Sequence, residues 1–113
     1  MKILDMPAKW GKKAIFISTF GDGVVALDID DEQPHVGWIH DLVVDESQRK
    51  QGIGTELLEA AIDEAKNKGC NKVCLWADPV DWLLKWYESK GFVELERGEY
   101  GMVRMLKMLP AKL

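Results

Sequence analysis

Little in this 113-residue chain suits it to a membrane, a secretory route or a metal. Two cysteines, Cys70 and Cys74, fall short of the four- or six-cysteine framework of a small secreted scaffold. A structural zinc would need two further ligands, and His35 and His40 are the only histidines, so the cysteines read as reduced structural thiols and no metal is expected. No stretch approaches the run of about 20 apolar residues that crosses a bilayer. Residues 1–13 carry charges throughout, without the apolar core of a secretory leader. The expected location is therefore cytoplasmic, with no membrane partner. Positive charge is also short: Lys and Arg total 15 against 19 Asp and Glu, for a net charge of −4. Phosphate backbones are bound by net basic surfaces, so nucleic acid is not the expected partner. Internal repeats, low-complexity tracts and linkers are missing too, and the length allows a single domain over residues 1–113.

What is present is a regular succession of strand and helix patterns. Residues Lys12–Phe20 and Val24–Ile29 are rich in β-branched and apolar residues and flank Gly21-Asp22-Gly23, which predicts a β-hairpin. Gly37–Val44 reads as a third strand. From Ile53 to Lys68 the period becomes helical: Ile53, Leu57, Leu58, Ala61, Ile62 and Ala65 form one stripe, with Gly69 as the stop. A strand follows over Lys72–Ala77. Asp78-Pro79 then resembles a helix cap and first turn, opening a helix that ends near Lys90. Phe92–Leu95 and Met102–Met108 predict a closing hairpin. The order β-β-β-α-β-α-β-β makes an α/β domain with a mixed, mainly antiparallel sheet flanked by helices, and with a parallel crossover from Gly37 to Ala77.

The segment most suited to chemistry runs from Val43 to Thr55, where a strand enters a basic, glycine-bearing turn that opens into a helix. Free N–H groups at a helix start, with the positive end of its dipole, make an anion cradle. Gly52 and Gly54 let the backbone approach a phosphate, and Arg49 and Lys50 add charge at the rim. The same residues also fit an ordinary glycine-containing loop before a helix. Two nucleotide-binding motifs fail on spacing: there is no G-x-x-x-x-G-K-[ST], and Leu57 stands where a dinucleotide fingerprint needs its third glycine.

Arg49-Lys50-Gln51-Gly52-Ile53-Gly54 resembles the R/Q-x-x-G-x-G/A signature of the GNAT superfamily of N-acetyltransferases. Trp86-Tyr87-Glu88-Ser89-Lys90-Gly91-Phe92 is similar to that family's second signature, an aromatic-Tyr-x-x-x-Gly-Phe run at a helix end. The two lie in the expected order, and the resemblance extends over roughly Lys12–Met108. It implies the GNAT-like acyl-CoA N-acyltransferase fold, with acetyl-coenzyme A as cosubstrate and direct acetyl transfer to a primary amine on a small molecule or a protein. It places the pyrophosphate on the N–H groups of Gln51, Gly52, Ile53, Gly54 and Thr55, near Arg49 and Lys50. The pantetheine arm is placed beside Leu42, Val43 and Val44. It also implies a bulge in the preceding strand that aims an N–H at the thioester oxygen. The alternative is a coenzyme A-binding regulatory or interaction module with weak or no turnover.

Tyr87 is the first catalytic candidate, since the family's tyrosine protonates the departing thiolate and a phenol with pKa near 10 keeps its proton at neutral pH. It lies in register with Val80, Leu83 and Leu84, so a plain core tyrosine is the competing reading. His40 is the second candidate, as general base. By strand alternation it shares a face with Trp38, Leu42 and Val44, and it equally suits a hydrogen-bonded strand histidine. Asp41 is expected to face away in a regular strand. Asp81 stands near a position where many relatives place a cofactor-contacting asparagine, and it reads more simply as a helix-start carboxylate. Trp76, Trp82 and Trp86 read as one cluster: sheet packing, an acceptor wall or a dimer surface. About a dozen residues precede the first clear strand, too few for the two helices that wall the acceptor site in larger members. An open acceptor side, completed by a second copy in a homodimer or by a bulky acceptor, is the resulting expectation.

Overall fold

The computed structural model describes residues 2–7, 12–18, 23–45 and 52–110. The elements are β1 (Lys2–Pro7), β2 (Lys12–Ser18), β3 (Gly23–Asp30), β4 (Val36–Val44), α1 (Ile53–Asn67), β5 (Lys72–Ala77), α2 (Asp81–Ser89), β6 (Val93–Arg97), a short 3-10 turn (Glu99–Gly101) and β7 (Val103–Met108). The strands form one seven-stranded sheet in the order β1-β2-β3-β4-β5-β7-β6. Every neighbouring pair is antiparallel except β4 with β5, which are parallel across the α1 crossover. The mixed, mainly antiparallel α/β architecture expected from the sequence is therefore present.

Two element assignments differ from the sequence reading. Residues 2–7 form an additional edge strand paired with β2, from Lys2 opposite Ser18 to Pro7 opposite Lys13. Ile3 and Leu4 are both exposed, so no alternating pattern marks this strand; pairing with β2 makes it, and the terminal proline is tolerated at an edge. The second correction concerns α2, which starts at Asp81 rather than at Asp78-Pro79. A residue before proline is disfavoured in helical backbone; the chain bends at Pro79, where Val80 N–H donates to the Asp78 carbonyl at 2.8 Å, and Val80 is extended (φ −113°, ψ 123°). The Val80 carbonyl then accepts the first helical N–H bonds, from Leu83 and Leu84. Gly21 and Asp22 of the expected hairpin turn lie outside the described residues.

The core occupies one face of the sheet. The α1 stripe of Leu57, Leu58, Ala61, Ile62 and Ala65 is buried against Ile15, Ile17, Val25, Leu27, Ile39, Val73 and Leu75. Each such large side chain contributes on the order of 1.5–3 kcal/mol through removal from water. Close approach of α1 depends on Gly37 in β4, where an added Cβ would lie 3.0 Å from Leu27 and 3.2 Å from Ala65. α2 joins the same core through Leu84 and Tyr87, so both helices lie on one side. The other face carries the alternate residues, among them Phe16, Asp28, Trp38, His40 and Trp76, and no helix covers it among the described residues.

The feature that positions the site is a split in the sheet. β4 and β5 pair only from Val36, Gly37 and Trp38 to Lys72, Val73 and Cys74. Beyond those rungs the strands part, leaving an opening between Ile39–Leu42 and Leu75–Ala77.

Candidate functional site

α1 begins at Gly52, whose backbone is left-handed (φ 79°, ψ 4°) and whose carbonyl already accepts from Glu56 N–H at 3.0 Å. Only glycine adopts this conformation without strain, since a Cβ there costs roughly 1–2 kcal/mol. Gly52 has no side chain to cap the helix, so among the described residues the first-turn N–H groups of Ile53, Gly54 and Thr55 keep their donor capacity for an external acceptor. They border a groove of about 800 Å³ that Leu42, Val43 and Val44 line from β4 and Trp82, Leu83 and Trp86 from α2. A Cβ on Gly54 would project to within 3.7 Å of Val44 and Trp86, into that groove. Donor amides at one end and apolar walls along the length fit a ligand with an anionic part and a thin, weakly polar arm. Arg49, Lys50 and Gln51 of the anticipated cradle lie outside the described residues; Gly52, Ile53, Gly54 and Thr55 are brought together with Leu42, Val43 and Val44.

The end of β4 carries a bulge. Between Val24 and Ala26 on β3 the partner strand advances from Val43 to His40, one residue more than regular pairing allows, and Asp41 sits at φ 53°. A bulge in this strand is what the family resemblance implies; its position overturns the regular alternation expected at Asp41 and His40. Alternation breaks at Asp41, so Leu42 and Val44 pack toward the core while Trp38 and His40 remain on the opposite face. His40 therefore shares a face with Trp38 but not with Leu42 and Val44. Asp41 is no regular strand residue, and it lines the cleft beside His40 and Leu42.

That cleft, about 320 Å³, fills the β4–β5 split and brings His40 and Tyr87 to one cavity, together with Asp78 and Trp76. Tyr87 is held by its own motif. Trp86 meets it edge-on at 5.0 Å between ring centroids and Phe92 at 5.6 Å, while Phe92 N–H closes back on the Tyr87 carbonyl. Gly91, at φ 94°, makes the turn that returns Phe92 to the ring. Tyr87 is 7% exposed. Burial pushes its phenol above the ordinary value, and the Asp78 carboxylate adds to the shift in the same direction. The proton is thus held more firmly than on a free phenol.

On the far side of the sheet His40 Nε2 lies 3.1 Å from Asp28 Oδ2. In the neutral imidazole, Nε2–H donating to that carboxylate leaves the lone pair on Nδ1. The three tryptophans do not form one cluster. Trp82, 70% exposed, and Trp86 wall the groove, whereas Trp76 stands on the opposite face, shared between the cleft and a recess with Trp38 and Asp28. Asp81 is the first residue of α2 and supplies the acidic group of its first turn, after Val80 as N-cap. Asp28 has no role in the sequence analysis, Asp41 is expected there to face away and Asp78 to cap α2; the fold instead places Asp41 and Asp78 in the cleft and Asp28 against His40. Both cysteines are buried and free, and burial raises both thiols; Arg104 and Lys72 partly offset this at Cys74.

Comparison with known proteins agrees with this geometry. The model of the acetyltransferase (GNAT) family matches residues 22–96. An uncharacterized N-acetyltransferase of Methanocaldococcus jannaschii is 37% identical over 79 residues, covering 69% of this chain and 34% of the relative. The glucosamine 6-phosphate N-acetyltransferase of Trypanosoma brucei brucei is 42% identical over 62 residues, covering 55% of this chain and 41% of the relative. The chain thus spans well under half the length of these curated relatives. A GNAT family acetyltransferase from Elizabethkingia anophelis, solved with acetyl-CoA bound, superposes with a TM-score of 0.72 at 18% identity, covering 96% of this chain and 97% of that one. At that identity the likeness is one of fold.

Proposed function

The chain belongs to the GNAT family of acetyltransferases, and from that membership we propose that it moves the acetyl group of acetyl-coenzyme A onto a primary amine. When bound, acetyl-coenzyme A supplies an acyl thioester whose carbonyl the amine attacks. The amides of Ile53, Gly54 and Thr55 hold the pyrophosphate at the α1 mouth, and Leu42, Val43 and Val44 run beside the pantetheine arm. The bulge at Asp41 offers backbone amide to the carbonyl oxygen. Tyr87 gives its phenolic proton to the departing sulfur as the carbon–nitrogen bond forms and the carbon–sulfur bond breaks. His40 Nδ1 takes the proton shed by the amine, directly or through one water, and solvent returns the balance to Tyr87.

The observation that carries this reading is adjacency. The groove and the cleft share Leu42 and Leu83, so the helix mouth and Tyr87 border adjoining cavities. The acceptor approaches from the sheet face that bears His40. Glucosamine 6-phosphate belongs among the acceptors to try, because the Trypanosoma relative acetylates it. Calorimetry with acetyl-coenzyme A, followed by thiol release over a panel of amines, tests the proposal. Saturable binding with release on at least one amine is the expected result. Binding without release on any of them would leave a coenzyme A-binding module, and absence of binding would reject both.

A further inference from the structure

The cleft continues past His40. A recess of about 260 Å³ on the helix-free face is lined by Asp28, Asp30, Gln33, Trp38, His40 and Trp76, and it shares His40 and Trp76 with the cleft. Its walls follow from strand register. Asp28 lies opposite Trp38, and Trp38 is in turn the rung partner of Cys74 on β5, two residues before Trp76. The indoles of β4 and β5 therefore project from the same face, beside alternate acids of β3. Trp76 is seated on the β6–β7 turn, where a Cβ at Gly98 would come 2.8 Å from its ring.

Among the described residues that line the recess, the ionisable groups are Asp28, Asp30 and His40, while Lys12 is the β2 rung partner of Asp30 and Arg104 the β7 rung partner of Trp76. Asp28 holds His40, and Asp30 Oδ1 accepts the Glu32 N–H at 2.9 Å; neither is paired with a lysine or arginine in the ion pairs of the described residues. Asp31 and Glu32 add negative charge in the turn that follows. A phosphate would meet two carboxylates here, whereas an ammonium group meets two carboxylates and two indole faces. Asp28 and Asp30 stand roughly 7 Å apart along β3, by strand rise, so a chain of several methylenes reaches from the cleft to either.

On the footing of acetyl transfer, we propose that this recess selects the acceptor: an aliphatic diamine or polyamine whose reacting nitrogen enters the cleft while a second ammonium lies between Asp30 and the two indoles. The chemistry is that of the transfer already described. The free-base nitrogen gains the acetyl carbon and loses one proton, and the distal ammonium is unchanged.

Two measurements on the full chain test it. In thiol-release assays, kcat/KM for spermidine should exceed that for n-butylamine by at least 30-fold, and glucosamine 6-phosphate should fall below both. Asp30→Asn, which keeps an oxygen for Glu32 N–H, should lower kcat/KM for spermidine about tenfold through KM and leave n-butylamine and acetyl-coenzyme A affinity unchanged. Independently of turnover, spermidine should shift tryptophan indole N–H resonances of the wild type at low salt, with the midpoint several-fold higher in Asp30→Asn. A phosphorylated sugar preferred over spermidine, or equal use of mono- and polyamine, would overturn the selection while leaving acetyl transfer standing. Failure of every amine would reject the transfer instead, and the resonance titration would still decide the recess: no shift, or a shift indifferent to Asp30→Asn, rejects it.

Discussion

On the helix-bearing side of the β4–β5 split, the groove is walled by the Gly52–Thr55 backbone, the end of β4 and the Trp82–Trp86 stretch of α2, and among the described residues no ionisable side chain lines it. Across the sheet, the recess has Asp28, Asp30 and His40 between two indoles and takes nothing from a helix start. The first region offers main-chain amides and shape, the second side-chain charge and aromatic faces. Such a division suits a two-substrate enzyme. On the proposed reading, a constant cosubstrate would be held by geometry that few substitutions alter, and the acceptor would be read by side chains on three strands that change independently of it.

The sharpest way to separate the two regions is to disable what lies between them. Tyr87→Phe keeps the ring in edge contact with Trp86 and Phe92 and removes only the O–H. We expect kcat to fall at least 100-fold, the range of general acid catalysis, with the acetyl-coenzyme A dissociation constant within about twofold by calorimetry. The pH profile adds a second readout. Because burial and Asp78 raise the phenol, the wild type should keep its rate through the ordinary tyrosine range near pH 10 and lose it only above. The stability tied to the protonated phenol has the same sign, complete below the unfolded value of 10.0 and lost as pH climbs through the folded one. An unchanged kcat in Tyr87→Phe would make Tyr87 a core residue after all.

Gly54→Ala should disturb the groove alone. The added methyl meets Val44 and Trp86 at ordinary contact distance, so the fold accepts it, and replacing glycine in a helix stabilises by up to about 1 kcal/mol. The same methyl narrows the passage beside the donor amides. Thermal unfolding should rise by a few degrees while acetyl-coenzyme A binding weakens about tenfold, and n-butylamine and spermidine should keep their relative kcat/KM. A shift in that ratio would mean that the groove and the recess are not independent.

The contrast also explains what could be read from the sequence. The groove was legible because its makers are consecutive: Gly52 and Gly54 open α1 within one turn, and Trp86, Tyr87, Gly91 and Phe92 close α2 within two. Short spacing is what a linear pattern records, and the apolar stripe from Leu57 to Ala65 was visible for the same reason. The recess was hidden because Asp28, Trp38 and Trp76 become neighbours only through β3–β4 and β4–β5 register. The position of Asp41 was lost with the bulge, since one extra residue reverses alternation and nothing at Asp41 itself signals it. β1 went unseen because an exposed edge strand needs its partner rather than a pattern. The start of α2 was misplaced because Asp78-Pro79 fits a helix opening locally, while the fold uses Asp78 in the cleft.

The smallest effect is expected at Cys74, which lies on β5 two residues before Trp76 and thus on the recess side of the strand. Its thiol is buried, and burial raises it beyond what Arg104 and Lys72 pull back, so little nucleophilic thiolate exists at neutral pH. Cys70 is raised by burial as well, and its thiol points to the Pro34 carbonyl at 3.7 Å. Both thiols in the native chain should therefore react with iodoacetamide at pH 8 at least several-fold more slowly than in the urea-unfolded chain. Their protonated forms contribute stability that is complete below the unfolded value of 9.0 and is lost as pH rises beyond it. Cys74→Ser should leave kcat within about twofold, because direct transfer to the amine needs no acyl-thiol stage. Loss of turnover in that variant, with acetate trapped on Cys74 in the wild type by mass spectrometry, would move the chemistry from the phenol side of the split to the recess side and make the acceptor region a participant in bond making.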